Sequence, residues 1–436
     1  MAKIRPFRAV RYNLSSPQAF KKVVAPPYDV ISTQQKRQLQ AEDAKNVIRL
    51  IIGNPSCEIH QPSDYSKAKK TFQDWQRTKV LQREETPAVY IYRQTFHLDG
   101  KKLNRTGFIA LSQLTPFGKK KGGILAHEHT LSGPKADRLK LTKAAQANFS
   151  CIFSLYPDRK GTGGLLKKAS SRKADFSVEY PKGIQNQVWV VTDPLWIKDL
   201  QHQVKDATLF IADGHHRYET ALNYQHLMSR RVKGAMGTRP IDFVQMMLVA
   251  MEDPGLVILP THRMLPARIV TSPALLLSRL SSLGEVHPYP KTISGSAPWK
   301  WLEKLGKTHS TLGISFDGKK LYALQFSKTV EKSPLLHDVS SAQRKLDVTL
   351  LHRLILEPFF GITKEKVEHE ITFTSRAEEA VVKLRKKEFA AVFFLNPTRI
   401  EQLREIAMNQ ERMPQKSTYF YPKLVTGLVF NRLDSF

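Results

Sequence analysis

The sequence predicts an α+β protein of mixed connectivity. Strand patterns and helix patterns are interspersed along the whole chain without a regular alternation. Two of the strands, over residues 88–96 and 105–114, flank a hairpin turn at Leu98–Lys101. We find no internal repeat and no heptad pattern, so solenoid and coiled-coil folds are not predicted.

The N-terminal elements follow from proline and capping chemistry. Residues 7–12 form the first predicted strand. Pro26 and Pro27 hold residues 23–31 extended, because proline excludes helix for itself and disfavours it for the preceding residue. Ser32 then predicts the N-cap of a helix over residues 33–43.

The later elements follow from apolar runs and helical periodicity. They are a polar loop over 159–173, strands at 187–191, 208–212, 243–251 and 390–395, and helices at 218–229, 348–358, 375–387 and 397–408. The 159–173 loop contains glycines but lacks the G-x-x-x-x-G-K-[ST] spacing, so it is not a phosphate-binding P-loop.

Composition places the chain among ordinary globular proteins, with 41% hydrophobic and 25% charged residues. No apolar run approaches the roughly 18 residues that cross a bilayer. The N-terminus lacks the apolar stretch of a signal peptide. The two cysteines, Cys57 and Cys151, form no metal-binding pattern and no disulfide framework. We therefore expect a soluble cytoplasmic protein.

The unusual bulk property is charge. Lysine and arginine total 68 against 39 acidic residues, a formal net charge of +29. Such a charge is typical of proteins that bind nucleic acid, where it neutralises phosphates. The basic clusters at residues 119–121, 167–173 and 383–387 are short, however, and are not interleaved with aromatic residues. This distribution favours a generally basic, soluble protein with at most non-specific nucleic-acid binding.

The strongest motif is the turn Asp213–Arg217, which follows a predicted buried strand and precedes a helix. Backbone N–H groups at a helix start attract anions, and an arginine in the first turn can grip two phosphate oxygens. Gly214 turns the chain, and His215 and His216 add polar groups. Asp213 is suited to hold a divalent cation. A capped helix with two surface histidines is the alternative interpretation.

A second motif is the loop Gly123–Thr130, which contains His127 and Glu128. A glutamate beside histidines can accept a proton from a substrate hydroxyl. The H-E-H order does not have the zinc-site spacing H-E-x-x-H, which disfavours zinc. A solvated loop is the alternative.

A third segment, Met413–Lys423, holds Lys416, Ser417 and Thr418 as consecutive donors between prolines, suited to a carboxylate or phosphate. Lesser candidates are Asp29, after the proline pair, and Thr261–Arg263; each could equally be an ordinary polar cluster at a strand end.

Together these motifs closely resemble the bacterial family known as domain of unknown function 1015. The matching stretches are 25–31, 123–130, 134–138 with Arg138, 212–218, 260–263 and 413–423. The resemblance covers nearly the whole chain.

A more distant resemblance is to archaeal free-serine kinases of the ParB/sulfiredoxin-like superfamily, which carry P-H-E, D-G-H-H-R and P-K-T-T motifs in this order. The resemblance implies a mixed-sheet core with additional α/β segments. It implies that Glu128 is the catalytic base and that the 213–217 turn holds the nucleotide phosphates. We also count His127 and Asp213 among the candidate catalytic residues. Ala126, Gln415 and Ser417 depart from the family's pattern, which leaves the substrate open.

The same resemblance implies substrate contacts by Lys416, Ser417 and Thr418, to which we add Arg138 and Asp29. We therefore predict a kinase-type phosphotransferase for the hydroxyl of a small amino acid such as L-serine. The expected donor is ATP, ADP or pyrophosphate, with Mg²⁺ bound by Asp213. The alternative is a ParB-like, DNA-associated nucleotide-binding protein without turnover.

The length of 436 residues exceeds what one compact core usually spans. We predict an N-terminal α/β segment (1–120), a ParB/sulfiredoxin-like core (121–270) and a C-terminal α/β segment (271–436) that supplies the lysine loop.

Overall fold

The chain forms two compact units. The structure is a computed structural model that describes residues 3–14, 16–53, 64–118, 122–269 and 272–436. Unit 1 comprises residues 1–257 and 422–436, and unit 2 comprises residues 258–421. This division differs from the three segments predicted from the sequence. Strands from both 1–120 and 121–257 share one sheet, and the last residues of the chain return to that unit.

Unit 1 contains strands and helices in an irregular order. The strands are β1 (Ile4–Arg5), β2 (Val10–Tyr12), β3 (Leu81–Arg83), β4 (Val89–Leu98), β5 (Lys101–Gln113), β6 (Ile124–Leu125), β7 (Ala147–Asn148), β8 (Ile152–Tyr156), β9 (Phe176–Glu179), β10 (Gln185–Val191), β11 (Leu209–Asp213) and β12 (Phe243–Ala250). The helices are α1 (Pro17–Val23), α2 (Thr33–Glu42), α3 (Ile48–Ile51), α4 (Ser66–Arg77), α5 (Ser132–Ala145), α6 (Thr162–Ala169), α7 (Pro194–Val204) and α8 (His215–Met228). Short 3₁₀ turns lie at Tyr28–Val30 and Pro240–Asp242.

A mixed sheet organises unit 1. Its strand order is β6-β11-β8-β12-β5-β4-β10-β9, and β1 pairs with β5. Strands β6 and β11 are parallel, as are β8 and β12, whereas the other neighbouring pairs are antiparallel. β12 is buried along almost its whole length, as its continuous apolar run predicts. The predicted α+β class is therefore confirmed.

The core of unit 1 fixes the position of β11 and α8. Tyr218, fully buried in the first turns of α8, donates its hydroxyl to the Thr115 carbonyl at 2.7 Å. Leu209 and Ile211 of β11 pack in the same apolar cluster as Met246 of β12. The strand end and the helix start that follows it are thereby held by buried contacts on both sides.

Unit 2 is a second α+β assembly. Its strands are β14 (His262–Pro266), β15 (Gly284–Pro288), β16 (Thr311–Ser315), β17 (Tyr322–Phe326), β18 (Thr372–Thr374), β19 (Phe389–Leu395) and β20 (Tyr419–Tyr421), while β13 (Val257–Leu259) lies at the unit boundary and β21 (Asn431–Arg432) in unit 1. Its helices are α9 (Pro273–Ser281), α10 (Ala297–Gly306), α11 (Ser341–Arg344), α12 (Asp347–Leu351), α13 (Glu357–Phe360), α14 (Val367–Glu370), α15 (Ala377–Arg385) and α16 (Ile400–Met408). A π-helical turn, His352–Leu356, joins α12 to α13, and 3₁₀ turns lie at Lys328–Lys332 and Pro334–Leu336. Its main sheet has the order β15-β17-β16-β19-β14-β18, with antiparallel neighbours.

Several predicted elements are confirmed with small shifts of their ends. Ser32 caps α2 by accepting from the Gln35 N–H at 3.2 Å. The predicted loop over 159–173 is wrong in part, because α6 occupies 162–169. The Asp158 carboxylate accepts from the N–H groups of Thr162 and Gly163 at 2.9 and 3.0 Å and so caps this helix. The helix was not predicted because its first turn contains glycines.

The remaining bulk expectations can be compared with the described residues. Among these, no helix is both long and apolar enough to span a bilayer. Cys151 is a free cysteine, and burial raises the pKa of its thiol to about 11. Cys57 and the basic cluster at 119–121 lie outside the described residues.

Candidate functional site

The turn Asp213–Arg217, which we call the phosphate turn, connects β11 directly to α8. Gly214 has φ of +92°, the left-handed region that disfavours residues with a Cβ atom. A Cβ atom there would also lie 2.9 Å from the Arg217 guanidinium. Glycine is therefore favoured at position 214 for two reasons. Its backbone can adopt this turn, and it leaves space for the Arg217 side chain that folds over it.

The loop 126–131, here named the Glu128 loop, lies beside the phosphate turn. It follows β6, which pairs in parallel with β11 through Ile124 opposite Leu209. Because parallel strands end at the same edge of a sheet, the Glu128 loop and the phosphate turn emerge side by side. The structure thus brings together two motifs that are 85 positions apart, as measured from Glu128 to Asp213.

Both histidines of the phosphate turn contact backbone N–H groups of the Glu128 loop. His216 Nε2 accepts from the Leu131 N–H at 2.9 Å. His215 Nε2 lies 3.5 Å from the His127 nitrogen, and the two rings meet edge to face at 4.7 Å between centroids. His127 and His215 are both buried, whereas Glu128 is half-buried. The histidines therefore fasten the loop that carries Glu128 to the start of α8.

A carboxylate of α8 holds the other end of this loop. Glu219 Oε2 accepts from the Thr130 hydroxyl at 2.8 Å and from the Lys135 ammonium at 2.7 Å. Charge-assisted bonds of this kind are about twice as strong as neutral ones. Glu128 thus lies on a loop that α8 fixes at three points.

Positive groups surround the Asp213 carboxylate. Its Oδ2 lies 3.6 Å from an Arg217 nitrogen and 3.5 Å from the Lys423 ammonium. The three side chains are 17%, 13% and 16% exposed, respectively, so solvent screens their interactions only in part. Arg105, fully buried nearby, has a pKa lowered to about 10 by burial, and the charge of Asp213 partly opposes that shift. The cluster therefore has more positive than negative charge.

The Arg217 guanidinium is oriented by protein acceptors. One of its nitrogens donates to the Cys151 carbonyl and to the Ser150 hydroxyl, the latter at 3.2 Å, while another approaches Asp213. The carbonyl and hydroxyl acceptors orient the group without affecting its charge, which Asp213 offsets in part. This arrangement preserves a fixed cation at the start of α8, where the helix dipole also favours anions.

Arg138 and Asp29, the two further predicted substrate contacts, lie in different environments. Arg138 donates to Asp137, to the Tyr65 hydroxyl and to the Ile51 carbonyl, the last two at 2.6 and 2.7 Å, and its guanidinium lies 4.1 Å from the ring centroid of Tyr28. These contacts make it a structural anchor whose donors are largely used. Asp29 is exposed in a 3₁₀ turn. Their predicted substrate contacts stay a prediction.

Tyr28 and Arg138 line a small cavity together with Arg217. The cavity has a volume of about 50 Å³. That is room for about three or four water molecules. Burial raises the pKa of Tyr28 to about 12, and the charge of Arg138 opposes the shift. Tyr28 is therefore a neutral phenol beside the cations at neutral pH.

The predicted substrate loop Lys416–Thr418 belongs to unit 2. Ser417 is buried, and its hydroxyl donates to the Pro414 carbonyl. The Thr398 hydroxyl donates to the Ser417 carbonyl at 2.8 Å, and Arg263 donates to the Lys416 carbonyl at 3.1 Å. Lys416 itself is exposed, with φ of +56°. The loop is thus rigid within unit 2, and its approach to the phosphate turn stays a prediction.

The donor set suits a cation that arrives with a phosphate rather than a resident metal. The described residues contain no group of three or more His, Cys, Asp or Glu side chains able to hold a metal ion. Asp213 alone offers a carboxylate at the turn. Mg²⁺ is commonly bound through one or two carboxylates plus substrate phosphates, and Asp213 fits that role.

Two site residues were missed in the sequence. Lys423 lies 210 positions after Asp213; it ends the segment Met413–Lys423, but the predicted role in that segment was given to Lys416, Ser417 and Thr418. Glu219 stands one turn after His215 and His216 on α8, and that helical spacing could have placed it on the same face. A third group, the Cys151 carbonyl, is a backbone atom that no residue pattern identifies.

Within Thr261–Arg263, a lesser candidate, His262 is a buried structural residue. Burial lowers the pKa of His262 to about 3, and its Nδ1 accepts from the Leu395 N–H at 3.3 Å. His352 is buried with a pKa also lowered to about 3 by burial, then by the charge of Arg263. Both histidines are therefore neutral in the folded protein.

These two histidines predict acid sensitivity in unit 2. The pKa of each histidine in the folded protein lies below its ordinary value of about 6.5. As the pH falls below about 6.5, these histidines therefore bind protons in the unfolded chain but not in the folded one, which lowers the stability of the folded state. Asp347 opposes this, because burial raises its pKa to about 7. From pH 6.5 to 4.5 we expect unit 2 to lose roughly 2 kcal/mol of stability, and roughly 4–5 kcal/mol in Asp347→Asn. Hydrogen exchange of unit 2 peptides measures both losses; equal losses in the two proteins would contradict the assignment.

The fold and the site define a class: an α+β protein in which a strand-to-helix turn with a glycine, two histidines and an arginine lies beside a carboxylate-bearing loop. The sequence profile of the family described as protein of unknown function (DUF1015) matches residues 4–349. The chain belongs to that family.

Comparisons with other proteins give only remote likenesses. A search of curated proteins found no match. A conserved hypothetical protein from Pyrococcus furiosus is 12% identical, with a TM-score of 0.34, over 72% of this chain and 94% of that one. A free serine kinase in complex with AMP is 12% identical, with a TM-score of 0.34, over 71% and 88%. SbnI with C-terminal truncation, from Staphylococcus aureus, is 9% identical, with a TM-score of 0.31, over 70% and 83%.

Proposed function

We propose that this protein is a small-molecule phosphotransferase that moves a phosphoryl group from a nucleotide or pyrophosphate to the hydroxyl of a small amino acid such as L-serine. The observation that carries the proposal is the joining of the Glu128 loop to the phosphate turn by His215 and His216. Phosphoryl transfer requires mainly positioning and charge neutralisation, and this arrangement supports both.

The phosphate turn is the proposed donor site. Arg217 and Lys423 neutralise the phosphates, and the first N–H groups of α8 add the helix dipole. Mg²⁺ bound with the donor would be held partly by Asp213 and would supply further charge neutralisation. Because Arg217 and Lys423 already flank Asp213, these positive charges are in place before the donor arrives.

The Glu128 loop is the proposed acceptor side. Glu128 takes the proton of the acceptor hydroxyl as its oxygen forms a bond to the transferred phosphorus. The bond between that phosphorus and the leaving phosphate oxygen breaks, and the shortened donor leaves with the electron pair. Lys416, with Ser417 and Thr418, is proposed to hold the carboxylate of the amino acid. This role follows from the motif resemblance to free-serine kinases of the ParB/sulfiredoxin-like superfamily.

A direct assay tests the proposal. The purified chain is incubated with Mg²⁺, with ATP, ADP or pyrophosphate, and with a mixture of free amino acids. Phosphorus NMR and mass spectrometry then detect new phosphomonoesters. We expect one predominant phosphoamino acid that requires both donor and acceptor. If the donors are only hydrolysed, or are left unchanged with every amino acid, the proposal is wrong.

A second candidate function is nucleotide-gated DNA association, which the net charge of +29 favours. If the charge is instead general, duplex DNA should bind weakly, without sequence preference, and be released steeply as salt increases. Fluorescence anisotropy over a salt series measures this. A nanomolar, sequence-selective complex at physiological salt would make the DNA-associated function the better one.

A further inference from the structure

Unit 2 contains an open cleft with a volume of about 480 Å³. It lies where β19 ends and β14 and β16 begin, and all of its lining residues belong to unit 2. Natural small-molecule sites usually have a few hundred cubic ångströms or more. The cleft is therefore large enough for a metabolite.

The lining of this unit 2 cleft has an excess of positive charge. Its cationic residues are Arg263, Lys307, Lys328, Arg344, Lys345 and Arg399. Its acidic residues are Glu303, Glu331 and Asp347. The cations outnumber the carboxylates by three, so the cleft attracts anions.

Two of these cations are fixed in place. Arg344 donates to the carbonyls of Val339 and Glu331 at 3.0 and 3.1 Å. Arg263 is almost completely buried and donates to backbone carbonyls, including that of Lys416. Carbonyl partners orient a guanidinium without cancelling its charge. Both guanidinium groups are therefore held at fixed positions in the lining of the cleft.

The inner end of the cleft carries uncharged and weakly acidic hydrogen-bonding groups. Asp347 accepts from the Thr311 N–H at 3.2 Å, and the Asn396 amide lies 3.5 Å from the same carboxylate. Burial raises the pKa of Asp347 to about 7, while the Thr311 bond and the charge of Arg399 oppose the shift. At neutral pH this carboxyl group is therefore protonated in part and can donate to an anion.

An independent sign of a ligand comes from Thr261. Its side chain lines the cleft, is only 6% exposed, and its hydroxyl has no hydrogen-bond partner among the residues that the structure describes. Buried hydroxyls are nearly always hydrogen-bonded in native proteins. A polar ligand in the cleft would supply the partner.

We propose that the unit 2 cleft binds a small phosphate-bearing metabolite, with the phosphate held by Arg399 and Lys345 and the polar body by Asn396 and Thr261. Helix α16 begins at the cleft, with Arg399 at its N-cap, so its dipole adds to the attraction. This site is proposed in addition to the phosphate turn of unit 1, and of the proposed acceptor-binding residues Lys416, Ser417 and Thr418 only Ser417 also lines the cleft.

Hydrogen exchange of the full chain locates the binding. The probes are inorganic phosphate, AMP and O-phospho-L-serine, each at millimolar concentration. We expect at least one to protect the peptides covering 306–312, 344–350 and 395–402. An absence of protection in all three peptides with every probe would overturn the proposal.

Matched variants identify the contacts. The double variant Arg399→Ala/Lys345→Ala should bind the protecting probe more weakly, by on the order of tenfold or more, because two charge-assisted contacts are lost. The control, Lys319→Ala with Lys320→Ala, removes the same charge from exposed positions outside the cleft and should bind normally. Equal weakening in both pairs would show a general charge effect and overturn the assignment.

Two further variants separate this site from folding effects and from unit 1. Thr261→Val keeps the side-chain shape, removes the unpartnered hydroxyl and should weaken binding while the fold stays intact. Arg217→Lys should leave the protection of unit 2 unchanged, whatever it does to phosphoryl transfer. Protection of unit 2 that vanishes in Arg217→Lys would overturn the proposal of an additional site.

Discussion

Glu128→Gln is expected to lower the rate of phosphoryl transfer by roughly two to four powers of ten, the usual contribution of a positioned general base. The amide keeps the shape of the side chain but cannot accept the hydroxyl proton. The loop itself should remain in place, because His215, His216 and Glu219 hold it through groups other than the Glu128 side chain. Donor binding should therefore persist while turnover falls.

Calorimetric titration with the donor, paired with turnover assays, measures the two effects separately. Glu85→Gln is the matched control, since it makes the same chemical change at an exposed position of unit 1 and should be neutral. Wild-type turnover in Glu128→Gln would remove Glu128 from the chemistry.

Arg217→Lys is expected to weaken donor binding and to slow transfer, each on the order of ten- to a hundredfold. Lysine keeps the charge but lacks the planar guanidinium. Arg217 donates to the Cys151 carbonyl and to Ser150 and is proposed to bind the phosphate as well, whereas a lysine ammonium cannot make all of these contacts at once. The same titration and turnover assays measure both changes.

Arg172→Lys is the matched control for this change. Arg172 makes a two-point contact to Asp175 elsewhere in unit 1, so its variant tests the loss of a guanidinium fork away from the site. It should leave donor binding unchanged. If Glu128→Gln abolishes donor binding and Arg217→Lys leaves it untouched, the donor and acceptor ends have been assigned in reverse.

The phosphate turn was predictable because its signals are local. Consecutive residues specify a strand-to-helix turn there. A buried apolar run ends at Asp213, a glycine follows, and a helix begins directly after it. Ser32 and the hairpin at Leu98–Lys101 were predictable for the same reason. In each case the physical cause lies within a few positions of its effect.

The environment of that turn was not predictable. β6 has only two residues, Ile124 and Leu125, which is too short for any periodicity, yet it places the Glu128 loop beside the phosphate turn. The contacts of the His215 and His216 rings to N–H groups of the neighbouring loop were not anticipated, and their predicted binding of phosphate stays a prediction. Both features depend on contacts between residues that are far apart in the chain. A single sequence has no local pattern that reveals such contacts.

The division into two units escaped prediction for a related reason. The motifs suggested boundaries near 120 and 270, but strands on both sides of residue 120 share one sheet. The return of residues 422–436 to unit 1 depends on contacts across more than 160 intervening positions. The amino-acid composition does not mark the two positions, after residues 257 and 421, at which the chain passes from one unit to the other.

The discontinuity of unit 1 has a consequence for biosynthesis. Buried Arg105 donates to the Pro422 carbonyl, Gln94 donates to the Lys423 carbonyl at 3.1 Å, and Asp213 has Lys423 beside it. A ribosome has to translate all of unit 2 before it delivers these partners. Until then, the Arg105 guanidinium and the Asp213 carboxylate of the nascent chain lack these particular partners. The Asp213 cluster is therefore completed only after unit 2 has been translated, and a polypeptide that ends before residue 422 does not form it.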